Sequence, residues 1–302
     1  MKHPARIYSF LAFLTAVVWG TTFISTKVLL QAGLMPAGIF LIRAIIAYLV
    51  LCFLHPRHFQ PAPLRDEWIF ILLGVFGGSL YFLTENTALK ITLASNVSLI
   101  VTTAPIFTAI AAHFFVKEER LTRNLWIGAA IAFAGVFLVV YNGNFLLKIN
   151  PLGDILSLSA AMLWAVYSIL LRRVDRLYPT LYITRKIFFY GTLTLLPWFF
   201  YQPFTWDMTV LSRPEVWMNL LFLGVIASSL CYVIWNKAIR VMGSIKTNNY
   251  IYFIPFITLL TAAIFLGERL TLFSLLGAVL IFMGVYVTRI PNAILSGNQK
   301  TE

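Results

Sequence analysis

The sequence predicts an all-α integral membrane protein of ten transmembrane helices, arranged as two inverted five-helix repeats. Three observations carry this prediction: an apolar composition, a segment that occurs twice, and basic residues crowded on alternate loops. The chain has 302 residues, of which 60% are hydrophobic and only 11% charged. Soluble domains carry about 25% charged residues. A hydrocarbon core of about 30 Å takes roughly 20 apolar residues at about 1.5 Å each. The net charge of +12 would suggest nucleic acid on a soluble protein. In an apolar chain it reports instead on orientation in the bilayer, so a lipid environment and no nucleic-acid partner are expected.

Apolar runs place the spans at 8–30, 36–54, 68–88, 94–115, 124–142, 154–173, 180–200, 216–236, 245–266 and 272–290. The first run follows Lys2 and Arg6 and outlasts the h-region of a signal peptide, so an uncleaved span is expected. Turn signals separate the runs, among them Gly33-Leu34-Met35-Pro36, His55-Pro56-Arg57, Asn142-Gly143-Asn144, Tyr178-Pro179 and Arg213-Pro214. Connections are too short for a soluble domain.

The duplication pairs 86–141 with 236–288. Asn86 and Pro105 answer Asn236 and Pro255 at an offset of 150. Glu119-Arg120-Leu121-Thr122, Gly128 and Gly135 answer Glu268-Arg269-Leu270-Thr271, Gly277 and Gly284 at 149. Upstream, Trp19 and Lys27 answer Trp164 and Arg172 at 145, and Arg43 answers Arg185 at 142. The halves are read as 1–148 and 149–302. With a cytoplasmic N-terminus, 15 Lys and Arg residues fall inside and 4 outside, so both termini are expected in the cytoplasm. Each half has an odd number of spans, so the second must enter the membrane inverted.

These residues resemble a known family. Trp19-Gly20 with Lys27, then Arg43, precede an Ala-Leu-Lys-like element in each half, Ala88-Leu89-Lys90 and Ala238-Ile239-Arg240. A mid-span proline, a Glu-Arg-Leu-Thr turn and a Gly-x6-Gly span follow each time. Together they resemble the EamA type of the drug/metabolite transporter superfamily over about residues 10–290. The chain departs from that pattern at Lys246, Asn248, Asn249, Tyr250 and Tyr252, where the family often has small residues. The resemblance implies a carrier in the cell (inner or plasma) membrane that moves small organic metabolites such as amino acids, commonly outward.

Ionisable groups in hydrocarbon are costly, about 2.5–3.5 kcal/mol for Arg or Lys at a helix centre, and each is a candidate site residue. Arg43 lies about seven residues into the second span, roughly 10 Å deep. It clamps a carboxylate or phosphate in bidentate fashion, or pairs with Glu85, and the two readings need not exclude each other. Lys27 either snorkels to the interface or marks the outer mouth. Arg185 and its neighbour Lys186 point about 100° apart, so at most one faces a path squarely. Cations at matched places, against few acids, favour an anionic or zwitterionic solute. Tyr81 and Glu85 share a helical face, as do Asn96 and Thr103, and Asn248 and Tyr252. Trp19 and Trp164 either line a central cavity or pack. Pro105 and Pro255 are kinks that also suit gating. Gly128, Gly135, Gly277 and Gly284 form small-residue faces for helix packing, either within the chain or across a homodimer.

Several chemistries find no motif. No phosphate loop is present, so ATP does not drive the chain directly. The four histidines, His3, His55, His58 and His113, have no metal-like spacing, and no cofactor or metal is expected. Cys52 and Cys231 sit in apolar runs as small buried hydrophobes. The alternative to a carrier is a polytopic membrane enzyme modifying lipid, which would want clustered His, Asp or Glu near one interface.

Overall fold

A computed structural model describes residues 2–56, 61–116, 119, 122–141, 150–203, 208–266, 271–288 and 290. Arg57, Lys117, Arg120, Lys148, Arg269, Arg289, Lys300, His58, Glu268, the Asn142-Gly143-Asn144 turn and the boundary between the halves lie outside these residues. All regular structure among the described residues is helical.

The first half contains α1 (Lys2–Gln31), α2 (Pro36–Leu54), α3 (Leu64–Ile91), α4 (Ala94–Val101 continuing as Ala104–Phe115) and α5 (Arg123–Tyr141). The second contains α6 (Pro151–Val174), α7 (Thr180–Leu195), α8 (Pro214–Met242), α9 and α10 (Leu272–Val287). Helix α9 is composite: Ser244–Asn248, a 3-10 turn Asn249–Phe253, then Ile254–Leu266. Among the described residues, six helices (α1, α2, α3, α4, α6 and α8) are long and apolar enough to cross a membrane, and shorter apolar helices occur at Arg123–Leu138 and Leu275–Val287. Length and composition therefore carry six of the ten expected spans.

Local chemistry explains the breaks. Helix α1 ends where Gly33 adopts φ 102°, a left-handed conformation that glycine takes without a Cβ penalty, and Pro36 opens α2. Helix α7 ends at Leu195 rather than near 200, because Pro197 has no N–H to continue it; a short turn, Trp198–Tyr201, follows. Asn150 caps α6 by accepting from the Gly153 N–H, with Pro151 at the first helical position. Helices α4 and α9 are interrupted one turn before Pro105 and Pro255, as a proline ring displaces the carbonyl four residues back.

Both α3 and α8 contain a π-turn, Val75–Ser79 and Phe222–Leu230, at matching positions of the repeat. Glycines let neighbours close on these turns. A Cβ on Gly74 would stand 2.7 Å from the Gly191 nitrogen of α7, and one on Gly224 would stand 2.6 Å from Ile46 of α2. The same exchange of halves relates α1 against α8 to α6 against α3. Helices α5 and α10 pack on each other through their glycines. A Cβ on Gly128 would lie 2.5 Å from the Gly284 oxygen, and one on Gly135 2.6 Å from the Gly277 oxygen. All four glycines thus face each other within the chain, which takes this face away from a dimer contact.

A buried hydrophobic core also holds polar side chains, and many large apolar side chains face outward. Arg43, Asn86, Ser157, Ser168, Asn236 and Asn248 are buried, whereas Phe10, Leu49, Phe53, Phe114, Ile155 and Phe200 are exposed. An apolar surface around a partly polar interior suits lipid.

Candidate functional site

A cavity lies where α1, α2, α3, α4, α6, α8 and α9 converge. Trp19, Thr22, Phe23, Arg43, Tyr81, Phe82, Glu85, Val101, Trp164, Tyr232, Ile251 and Ile254 line it. The two repeat-matched tryptophans meet at its centre, Trp19 edge-on to Trp164 with ring centroids 5.3 Å apart. Tyr232 lies 5.7 Å from Trp19, and Tyr81 5.2 Å from Trp164. The side chains leave about 40 Å³ for the centres of water molecules. That exceeds the minimum of about 10–15 Å³ needed to hold a water.

The π-turns hold this aromatic box together. The Tyr232 hydroxyl donates to the Gly77 carbonyl at 2.9 Å, and the Trp19 indole N–H donates to the Ala227 carbonyl at 3.1 Å. Gly77 and Ala227 are repeat equivalents, so one carbonyl of each π-turn is met by an aromatic donor of a different helix. π-Turns occur frequently at functional sites. Trp164 is fixed from the other side, donating to Asn248 Oδ1 at 2.7 Å. Asn248 in turn donates to Ser168 Oγ at 3.1 Å and to the Ser244 carbonyl at 2.9 Å.

Arg43 is the cation of the cavity and is only 3% exposed. Its Nε donates to Ser228 Oγ of the second π-turn at 2.8 Å, and its guanidinium lies 4.2 Å from the centre of the Phe82 ring. A guanidinium has five N–H donors. The four on the two Nη atoms make no hydrogen bond among the described residues. Glu85 stands on another wall and accepts from the Tyr81 hydroxyl at 2.6 Å. No ion pair joins Arg43 to Glu85 among the described residues, so the direct pairing considered from the sequence is not formed. The cavity therefore presents a fixed cation, a fixed carboxylate and aromatic faces.

The structure brings Trp19, Arg43, Tyr81, Glu85 and Trp164 together and puts other candidates elsewhere. Lys27 is not among the residues lining the cavity: its Nζ donates to the Leu89 carbonyl at 2.6 Å and the Thr92 carbonyl at 3.1 Å. These carbonyls end α3 without intrahelical donors, and a cation there also suits the helix dipole. Arg185 donates to the His55 carbonyl at 2.9 Å, beside Tyr182. Its neighbour Lys186 pairs with Glu67, which also accepts from Tyr190. Asn96, Asn248 and Tyr252 are buried behind the lining, Asn248 as the partner of Trp164. Pro105 and Pro255 sit just past the helix interruptions rather than in the cavity wall.

Ion pairs between the halves cluster at the end of the molecule where α2 stops and α3 starts. Lys186 meets Glu67 there, and the Tyr178 hydroxyl donates to Asp66 at 2.6 Å. Arg172 pairs with Glu119 at 3.2 Å and with Asp175 at 2.7 Å. Glu119 also accepts from the Ser244 and Ile245 N–H groups, both at 2.7 Å, at the start of α9. Burial in this cluster raises the Asp175 carboxyl above the usual range despite the opposing pull of Arg172.

Thr22, Phe23, Phe82, Val101, Tyr232, Ile251, Ile254 and Ser228 were not singled out from the sequence. Phe82 and Tyr232 are repeat equivalents at an offset of 150, and that pairing was a signal that could have found them.

The model of the EamA-like transporter family matches the chain twice, over residues 6–141 and 151–290. A protein of Archaeoglobus fulgidus named as a transporter is 30% identical, over 91% of this chain and 94% of its own. A protein of Salmonella typhimurium named as a probable amino-acid metabolite efflux pump is 29% identical, over 94% of this chain and 95% of its own. A solved crystal structure superimposes with a TM-score of 0.74 at 19% identity, over 94% of this chain and 98% of that one, which is a likeness of fold. Both the doubled family match and these relatives agree with the apolar helices and the buried polar cavity: the chain is a multi-pass integral membrane protein of the EamA-like transporter family.

Proposed function

We propose that this protein exports amino acids, or similar solutes carrying a carboxylate and an ammonium group, across the cell membrane by alternating access. The observation that carries the reading is Arg43: a buried guanidinium with four N–H donors left over at an aromatic cavity. A planar fork of donors matches a carboxylate. Glu85, on another wall of the same cavity, offers a partner for an ammonium group. Aromatic faces around them accept both apolar side chains and cations. The efflux-pump name of the Salmonella typhimurium relative supports the same solute class and direction.

The mechanism follows from the repeat. We read the helices as ten spans in two inverted halves, 1–148 and 149–302, with both termini cytoplasmic, as the distribution of Lys and Arg favours. On that reading the cross-half contacts of Glu67, Lys186, Asp66, Tyr178, Glu119 and Arg172 close the cytoplasmic end. The cavity, about 40 Å³, is contracted in this conformation and opens when the halves rock. Solute passes without covalent change, so no cofactor or metal enters the scheme.

A thermal-shift screen of purified protein against amino acids, organic acids, nucleosides and inorganic phosphate tests the solute class. Stabilisation by α-amino acids, lost when either the carboxylate or the amino group is masked, is the expected result. Stabilisation by nucleosides or by amines lacking a carboxylate would remove Arg43 from the recognition role.

A further inference from the structure

A second cavity opens sideways between α1, α9 and α10, away from the central one. Its volume is about 470 Å³. One wall is Ser9, Phe10 and Phe13 of α1, the other Phe282 and Tyr286 of α10, and Tyr250 and Phe253 of α9 form the floor. The aromatic rings interlock, with Phe13 edge-on to Phe253 at 5.2 Å and Phe253 4.6 Å from Phe282. Arg6 stands in the lining at the start of α1 and makes no hydrogen bond or ion pair with another described residue. An apolar trough with one cation has the polarity of a phospholipid: acyl chain below, phosphate above.

The repeat supplies an internal control. At the equivalent positions of the other half, Pro151 replaces Arg6, Asp154 replaces Ser9, Ile100 replaces Tyr250 and Thr103 replaces Phe253. The cation and the floor aromatics thus occur on one side only, and a carboxylate stands where it would repel a phosphate. If the trough served packing alone, the duplication would not need to lose both features together.

We propose that this groove is a binding site for an anionic glycerophospholipid of the leaflet that holds the N-terminus, with Arg6 on the phosphate and an acyl chain along Phe10, Phe13, Phe253 and Phe282. Anionic lipid attracts basic side chains at the membrane surface. The proposal does not depend on which solute the central cavity carries.

Native mass spectrometry of the full chain in mild detergent, titrated with phosphatidylglycerol and phosphatidylcholine of equal chain length, tests it. One phosphatidylglycerol should bind about fivefold tighter than phosphatidylcholine, the preference one basic residue supplies near a membrane surface. Arg6→Gln should abolish that preference and Arg6→Lys keep it. Ser9→Phe, which fills the trough, should cut binding of both lipids. Equal binding of the two lipids by the unaltered protein overturns the proposal, as does a preference that survives Arg6→Gln, or unchanged occupancy in Ser9→Phe.

Discussion

Arg43→Gln should separate solute recognition from folding. The substitution removes the Ser228 hydrogen bond at 2.8 Å and the contact with Phe82 at 4.2 Å. A hydrogen bond to a charged group is worth about 1.5–3 kcal/mol and a desolvated cation–π contact about 2 kcal/mol. Removing the ion also lifts its cost in the membrane interior, about 2.5–3.5 kcal/mol. The net loss of stability is therefore between nothing and about 2.5 kcal/mol, a fall of less than ~10 °C in melting temperature. Binding has no such compensation. Losing two hydrogen bonds to a carboxylate, each about 1.5–3 kcal/mol, raises Kd at least ~100-fold. Arg43→Lys keeps the charge without the fork and should fall between the two. The assay is isothermal titration of purified variants with the amino acid that binds the unaltered protein most tightly, alongside thermal melts. A folded Arg43→Gln protein whose Kd stays within about twofold of the original would refute the reasoning.

Other substitutions test the scaffold. Gly128→Leu should lower the melting temperature sharply, because a Cβ there already meets the Gly284 oxygen at 2.5 Å and overpacking costs about 1–3 kcal/mol or more. Lys27→Met should destabilise the protein by roughly 1–3 kcal/mol through the uncapped carbonyls of Leu89 and Thr92, yet leave solute Kd unchanged; altered affinity would place Lys27 in the path after all. Asp175 gives a pH test. Its carboxyl is raised by burial in the folded state, so the native protein holds this proton more tightly than the unfolded chain does. That contribution to stability is present below the usual carboxylate range and is lost as pH climbs through the raised value. Asp175→Asn should flatten this part of the melting-temperature profile, and a profile unchanged by the substitution would contradict the assignment.

The repeat and the main cavity residues were legible because each leaves a mark in the sequence. Trp19 and Trp164 share an offset of 145 and meet at 5.3 Å. Tyr81 and Glu85 are one helical turn apart and join at 2.6 Å. An arginine seven residues into an apolar run needed a polar cavity, and Arg43 lines one. The π-turns were not legible, because an inserted residue in a helix leaves the apolar pattern almost unchanged. Only the glycines around them, Gly74, Gly77 and Gly224, hinted at close approach. Ser228 could not be assigned to Arg43 without knowing that the second π-turn closes on α2. Depth alone could not place Lys27: a lysine near a span end can snorkel, line a mouth or cap a neighbouring helix, and its bonds to the carbonyls of α3 became visible only in the fold. Asn248 was singled out beside Tyr252, but the composite start of α9 hid its partner, Trp164 of α6.

Counterflow in proteoliposomes tests the central claim most directly. Vesicles preloaded with an unlabelled amino acid should take up the labelled form against its gradient, chemically unchanged, and Arg43→Gln vesicles should not. Absence of exchange for amino acids, organic acids, nucleosides and phosphate alike, together with conversion of lipid by the purified protein, would contradict the account and favour a membrane enzyme.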